Sequence, residues 1–282
     1  MCVQSSLGNN VPTWSGRSVS IRLCARTAPI RNRHVGCSVD IKEIGSRRVA
    51  AHMLAINDLS VRHGHGQPWR LQGFDLRIGP GECCAVVGPA GAGKTAVLEA
   101  VMGLCPVDGG TIRVGSSASD ADAIERRRNI TAIWGAGAVD DALTVRQNVE
   151  LILRLAGTPL PTPSVINRAL RVMEMPDRRI TQPTSALTSM QRFSMWLAIA
   201  QLRGTPILLL DDPTATWTMT DIRTATQLHN ELRRSGLTIL LSTRDTDFGC
   251  ALADRIVLLD SGRKVAEGAP SVIFSATAMD RP

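Results

Sequence analysis

From residue 53 onward, apolar and polar positions alternate with regular periods. Residues 54–61 and 69–78 alternate with a period of two, as half-buried strands do, and Gly79-Pro80-Gly81 supplies a turn between the second run and the next. The short apolar run 83–87 predicts a buried strand, and 96–104 a helix. Gly109-Gly110 then precedes a short strand at 111–114.

Residues from about 131 to 204 change character and read as helical. Thr144 caps a segment carrying Val145, Val149, Ile152, Leu153 and Leu155. A second helix is predicted near 164–175. A third, near 191–202, sets Phe193, Trp196, Leu197 and Ala200 on one face. The continuous apolar run 207–210 then predicts a parallel strand buried on both faces. A helix over about 220–234, a strand at 237–242, a short helix and a strand at 255–260 continue the alternation. The pattern is that of an α/β fold interrupted by a helical insert. It gives three segments: an extension over 1–52, a domain over 53–275 with its insert at about 131–204, and a tail over 276–282.

Composition adjusts this picture at the N-terminus. The 282 residues, 44% of them hydrophobic, can bury a substantial core. The net charge of +7 is uneven. Residues 1–52 hold eight basic and two acidic side chains, and the remainder holds 24 basic and 23 acidic ones. The body is therefore near neutral, and the basicity belongs to a Ser-, Arg-, Gly- and Asn-rich extension that shows no sustained period and reads as disordered. That extension is either an arm for nucleic acid or anionic lipid, or a solvated stretch, including upstream sequence translated from a start placed before Met53. No run of 18 apolar residues predicts a membrane span, and no apolar h-region marks a secretory signal. Seven cysteines, an odd number without a C-x-x-C pair and several in predicted core strands, point to reduced thiols in a cytoplasm.

The chemistry centres on Gly88-Pro89-Ala90-Gly91-Ala92-Gly93-Lys94-Thr95, a complete G-x-x-x-x-G-K-[ST] phosphate loop between a predicted strand and helix. Backbone N–H groups of such a loop wrap a β/γ-phosphate, and the lysine ammonium adds a point charge. The N-terminus of the following helix, from Ala96, favours the anion, and the Thr95 hydroxyl is placed for Mg²⁺. Lys94 is one of only three lysines in the chain, so its presence at this point of the motif carries weight. The expected ligand is a nucleoside triphosphate, ATP with Mg²⁺.

The run 207–210 ends in Asp211-Asp212-Pro213-Thr214. An aspartate closing such a strand can hold the water shell of Mg²⁺ opposite the loop. With the helical insert between loop and strand, the arrangement resembles an ATP-binding-cassette (ABC) ATPase. The resemblance runs from about 54 to 274. It extends to Thr144-Val145-Arg146-Gln147-Asn148-Val149, and to the run from Asp254 through Gly262-Arg263 with Ala266-Glu267-Gly268 after it. It implies a P-loop NTPase fold with an antiparallel β subdomain at the N-terminal side and a helical subdomain. It also implies a cytoplasmic subunit, peripheral on the inner face of the membrane, that dimerises head to tail and drives transmembrane partners.

Several positions depart from the family pattern. Where the signature L-S-G-G-Q is usual, the chain has Leu187-Thr188-Ser189-Met190-Gln191. Thr188 keeps a hydroxyl, but Ser189 and Met190 add side chains where glycine permits close approach, which impairs the segment as a donor to a partner's site. The glutamate base is replaced by Asp212, one methylene shorter, and the switch histidine by Arg244. Arg244 either clamps a γ-phosphate without shuttling a proton, or pairs with Asp245 or Asp247. The lid-loop glutamine falls at Gly135, and the aspartate after Asp211-Asp212 falls at Thr218. His63 takes the place of the base-stacking aromatic; Trp69 is a substitute or a core residue.

These departures predict a transporter ATPase subunit that captures ATP and turns it over slowly, in a homodimer or beside a better-equipped second cassette. Two alternatives stay open: a non-transport nucleotide switch whose basic extension touches nucleic acid, and a decayed paralogue without activity.

Overall fold

The computed structural model describes residues 52–64, 68–115, 123–135, 137, 139–214, 217–234 and 236–279. The expectation of a disordered basic extension therefore lies outside the described residues, apart from His52.

Two sheets organise the domain. In the smaller, β1 (Leu54–Arg62) pairs antiparallel with both β2 (Trp69–Ile78) and β4 (Gly109–Val114), in the order β2-β1-β4. Leu54, Ile56, Leu59 and Val61 are buried. Their alternation slips by one residue at Asp58, which takes a positive φ of 50° at an irregularity in the pairing. Its N–H is satisfied outside the ladder by Asp75 Oδ1 at 2.9 Å.

The larger sheet has the order β5-β6-β7-β3-β8-β9, with β3 (Cys83–Val87), β5 (Ile130–Trp134), β6 (Ile207–Asp211), β7 (Thr238–Thr243) and β8 (Arg255–Asp260) parallel and β9 (Arg263–Gly268) antiparallel at one edge. Successive side chains of its central strands enter two different cores. Ala85, Leu208, Leu210 and Leu241 pack toward the helical insert, whereas Val86, Leu209, Leu240 and Val257 pack toward the small sheet and α1 (Lys94–Met102). That division explains the unbroken apolar runs: a strand covered on both faces has no polar phase. It also explains the adjacent buried pair Cys83 and Cys84, whose side chains belong to opposite cores.

The helical insert begins later than its sequence suggests. Residues 131–134 belong to β5, which pairs along its whole length with β6. A five-residue apolar run is too short to display either period, so its neighbours decide its state. After the short α2 (Ala123–Arg128) and β5, the insert proper comprises α3 (Val145–Leu155), α4 (Pro163–Val172), the single turn α5 (Asp177–Ile180) and α6 (Ser189–Arg203). Thr144 caps α3 in a reciprocal box with Gln147, and Thr188 caps α6 in the same way with Gln191. Beyond β6 follow α7 (Met219–Arg234), α8 (Thr246–Leu252) and α9 (Pro270–Met279); α9 runs on into the segment 276–282 read as a tail. No helix among the described residues is long and apolar enough to cross a membrane.

Candidate functional site

Strand order brings the candidate residues together. β7 lies between β3 and β6, and its register sets Thr243 beside Val87 and Ser242 beside Asp211. The phosphate loop, the aspartates after β6 and the 242–244 segment thus emerge from the carboxyl ends of three neighbouring parallel strands. That edge is where ligands bind in open α/β sheets.

The loop is shaped by close backbone approach. A Cβ at Gly88 would stand 2.1 Å from the Leu259 carbonyl oxygen, and one at Gly93 would stand 2.3 Å from that of Arg70. Gly93 also takes a φ of 103° as the N-cap residue just before α1. Ala92 and Ala96 turn their methyl groups into the core, so what they offer a ligand is backbone rather than side chain. The first N–H groups of α1 have no intrahelical acceptor and face the loop end of the helix.

Lys94 Nζ donates to the carbonyl oxygens of Gly88 at 2.8 Å and Pro89 at 2.7 Å. Burial lowers its pKa below the usual lysine value; Asp212 and Asp211 oppose that shift, and Arg244 adds to it. Lysine, both aspartates and the arginine therefore share one electrostatic environment. Thr95 Oγ1 donates to the Asp211 carboxylate, 3.1 Å from each oxygen. The buried Ser242 hydroxyl donates to Asp211 Oδ1, and the Gly135 N–H donates to the Asp211 carbonyl at 2.9 Å. A hydroxyl beside a fixed carboxylate is the hard-oxygen donor pair that suits Mg²⁺, which keeps most of its coordination for water and phosphate. No cluster of three or more His, Cys, Asp or Glu side chains occurs among the described residues to form a closed protein cage.

Asp212 and Arg244 meet. The Arg244 Nε donates to Asp212 Oδ2 at 2.8 Å, so the arginine's acidic partner is neither Asp245 nor Asp247. Asp245 instead caps α8 by accepting from the Phe248 N–H. Asp212 itself holds a positive φ of 43°, with its N–H donated to the Ser242 carbonyl at 2.9 Å. Gly135 also has a positive φ, 53°, and brings no side chain to the site.

Met190 corrects the reading of the signature segment. Its side chain is only 8% exposed and packs into the core with Phe193 and Leu197, so it does not stand on a surface offered to another subunit. Thr188 is exposed and Ser189 half-buried at the N-terminus of α6. Thr218 is consumed locally, capping α7 through reciprocal bonds with Asp221. Just before it, Trp217 packs edge-on against Phe193 and Phe248, joining α6, α7's entry and α8.

A cavity of about 190 Å³ opens beside the loop, bordered by Gly91, Lys94 and Thr95 on one side and His63, Trp69 and Arg70 on the other. Trp69 is 37% exposed there, a cavity wall and not a core residue. The sequence flanking it hid this, because the first residue of a half-buried strand can face either way.

Fold and site together define a P-loop NTPase with an inserted helical subdomain. A family model described as ABC transporter matches residues 71–215, and the chain belongs to that family, whose cassettes bind ATP. It is 31% identical over 215 residues to the cobalt import ATP-binding protein CbiO of Rhodobacter capsulatus, covering 74% of this chain and 76% of that one. It is 28% identical over 225 residues to the Nod factor export ATP-binding protein I of Paraburkholderia xenovorans (79% and 73%). To the spermidine/putrescine import ATP-binding protein PotA of Haemophilus influenzae it is 30% identical over 228 residues, spanning 78% of this chain and 59% of that protein. Solved structures agree on the fold. The cbiO1 protein from Clostridium perfringens superposes with a TM-score of 0.71 at 22% identity, covering 81% of this chain and 93% of that one. The cassette MJ0796 bound to ADP and Pi superposes with a TM-score of 0.67 at 23% identity, covering 77% and 99%.

Proposed function

We propose that this chain is the ATP-capturing subunit of an ABC transporter, peripheral on the inner face of the membrane, and that it binds MgATP firmly and hydrolyses it slowly. The observation that carries the proposal is an asymmetry within one site. The binding groups are complete: the loop, Lys94, and Thr95 set against Asp211. The group that would act on water is not free, because Asp212 is held by Arg244.

In this reading the N–H groups at the start of α1 and the Lys94 ammonium hold the β- and γ-phosphates. Lys94 exchanges its bonds to the Gly88 and Pro89 carbonyls for phosphate oxygens. Thr95 and Asp211 would hold Mg²⁺, which would supply positive charge against the phosphates when bound. Asp212 is the group able to accept a proton from the attacking water, but it lies one methylene short of the family's glutamate, and a misplacement of about 1 Å costs about 100-fold. Arg244 supplies positive charge for a γ-phosphate and cannot relay a proton.

Transmembrane subunits and a second cassette complete the machine. The N-terminus of α6, with Thr188 and Ser189, is the surface offered to the second cassette's nucleotide. The weakened turnover apparatus favours a heterodimer, in which a better-equipped cassette hydrolyses while this one holds its ATP. The named relatives include both importers and exporters, so the resemblance assigns the cassette and leaves the cargo to the membrane subunits. The test is equilibrium binding of MgATP to the purified chain and to Lys94→Ala. Binding by the former and a loss of at least tenfold in the latter is expected; equal binding by both would reject the site.

A further inference from the structure

We infer that Ser242, in β7, is a positioning residue for the metal-side carboxylate: its hydroxyl holds Asp211 in the orientation that serves Mg²⁺. The inference rests on the reading of Thr95 and Asp211 as the magnesium pair, and it adds a third residue to that pair. Three observations carry it.

The first is phase. β6 and β7 run parallel, and their register sets Asp211 beside Ser242. Leu209 and Leu240, two residues earlier on each strand, pack toward α1. Side chains two apart on a strand share a face, so Asp211 and Ser242 turn to the same side, toward the helix that carries Thr95. The carboxylate and the two hydroxyls therefore meet, although Thr95 and Ser242 lie 116 and 31 residues from Asp211 in the chain.

The second is the chemistry of the contact. Thr95 Oγ1 lies 3.1 Å from both carboxylate oxygens and carries a single proton, so it does not select one of them. Ser242 donates to Oδ1. That bond breaks the symmetry and fixes the rotation of the carboxylate, which is otherwise a soft torsion. Among the described residues it leaves Oδ2 as the oxygen with fewer protein donors. A hydroxyl donating to a carboxylate makes a charge-assisted bond, and groups that orient metal ligands in this way tune the affinity of a site.

The third is the placement of a hydroxyl in an apolar strand. Ser242 is fully buried and follows Ile239, Leu240 and Leu241. A buried hydroxyl without a partner is costly, so its partner is informative. The next residue, Thr243, is equally buried, but its oxygen accepts from the Asp245 N–H at 3.0 Å, a local turn bond. Ser242 directs its hydroxyl across the sheet instead. Its carbonyl accepts from the Asp212 N–H at 2.9 Å, a backbone bond that a side-chain substitution leaves in place. Replacing the side chain therefore isolates the hydroxyl.

The experiment is calorimetric titration of the full chain with ATP, in saturating Mg²⁺ and in EDTA, for the unaltered chain, Ser242→Ala and Ser242→Thr. The ratio of the two affinities reads the metal's contribution, because coupling between metal and nucleotide is reciprocal. Ser242→Ala is expected to lower that ratio by about 10- to 100-fold, the effect of losing a group that orients a metal ligand, and to leave the EDTA affinity within about twofold. Ser242→Thr keeps the hydroxyl and should retain most of the ratio. The inference is overturned if Ser242→Ala leaves the ratio within about twofold. It is also overturned if Ser242→Ala weakens ATP equally in Mg²⁺ and in EDTA, since a general loss of structure moves both. A threonine ratio as low as that of alanine would assign the effect to packing and overturn it too. An unaltered chain that binds ATP equally in the two conditions would reject the magnesium reading itself, and the positioning role with it.

Discussion

Replacing Asp212 by glutamate and Arg244 by histidine, singly and together, separates the two causes of slow turnover. One is reach. The carboxylate is a methylene short, and restoring about 1 Å of position is worth about 100-fold. The other is restraint by the arginine. The pair is 2.8 Å long with Arg244 about half exposed (55%) and Asp212 less so (25%), which puts it among solvent-accessible pairs worth about 0.2–1 kcal/mol. At about 1.4 kcal/mol per factor of ten, this holds back about 1.4- to 5-fold. Arg244→His alone should therefore raise single-turnover hydrolysis by no more than about fivefold. Asp212→Glu alone keeps the arginine within reach and should gain about 20- to 70-fold, the double variant about 100-fold. The assay is conversion of labelled ATP to ADP with protein in excess over nucleotide, so that product release does not enter. If Arg244→His instead lowered the rate more than tenfold with ATP affinity unchanged, the arginine would be a participant in catalysis and the restraint argument would be wrong.

Two further predictions concern residues away from the phosphates. Met190→Gly, which makes the signature segment look more like its family, should destabilise the protein by about 2–5 kcal/mol because the methionine fills core space; a Tm unchanged within a degree would contradict its buried placement. Burial pushes the Cys84 thiol from 9.0 up to about 12, so as pH rises above 9 the unfolded chain loses that proton while the folded one keeps it. Folding stability should then fall by about 1.4 kcal/mol per pH unit between about pH 9 and 12 because of this group, and denaturant unfolding of Cys84→Ala should lack that component. Identical pH slopes for the two proteins would refute it.

The sequence was most legible where one physical demand dominates. The strands 54–62, 69–78 and 83–87 follow from period and turn residues, and the structure places their limits within a residue of expectation. The loop was legible because backbone geometry forces glycine at Gly88 and Gly93, leaving a fixed spacing. What stayed hidden depends on contacts distant in sequence. β5 is a strand because β6 lies beside it. Met190 turns inward because α6 offers its core face there, a one-residue matter of helical phase. Arg244 has two acidic neighbours in sequence, yet its partner is 32 residues away, delivered by the parallel register of β6 and β7. Trp69 was ambiguous for the same reason: the cross-strand partner Arg62 that lies over its ring is not its neighbour in sequence.

Capture of ATP far in excess of its turnover is read by following one bound nucleotide. The purified chain is loaded with labelled MgATP below the protein concentration, and the bound fraction is sampled over time for ATP and ADP. ATP should be retained and converted at less than about 0.1 s⁻¹, a hundredfold below a typical enzyme turnover of about 10 s⁻¹. Conversion faster than about 1 s⁻¹ by the unaltered chain alone would contradict it.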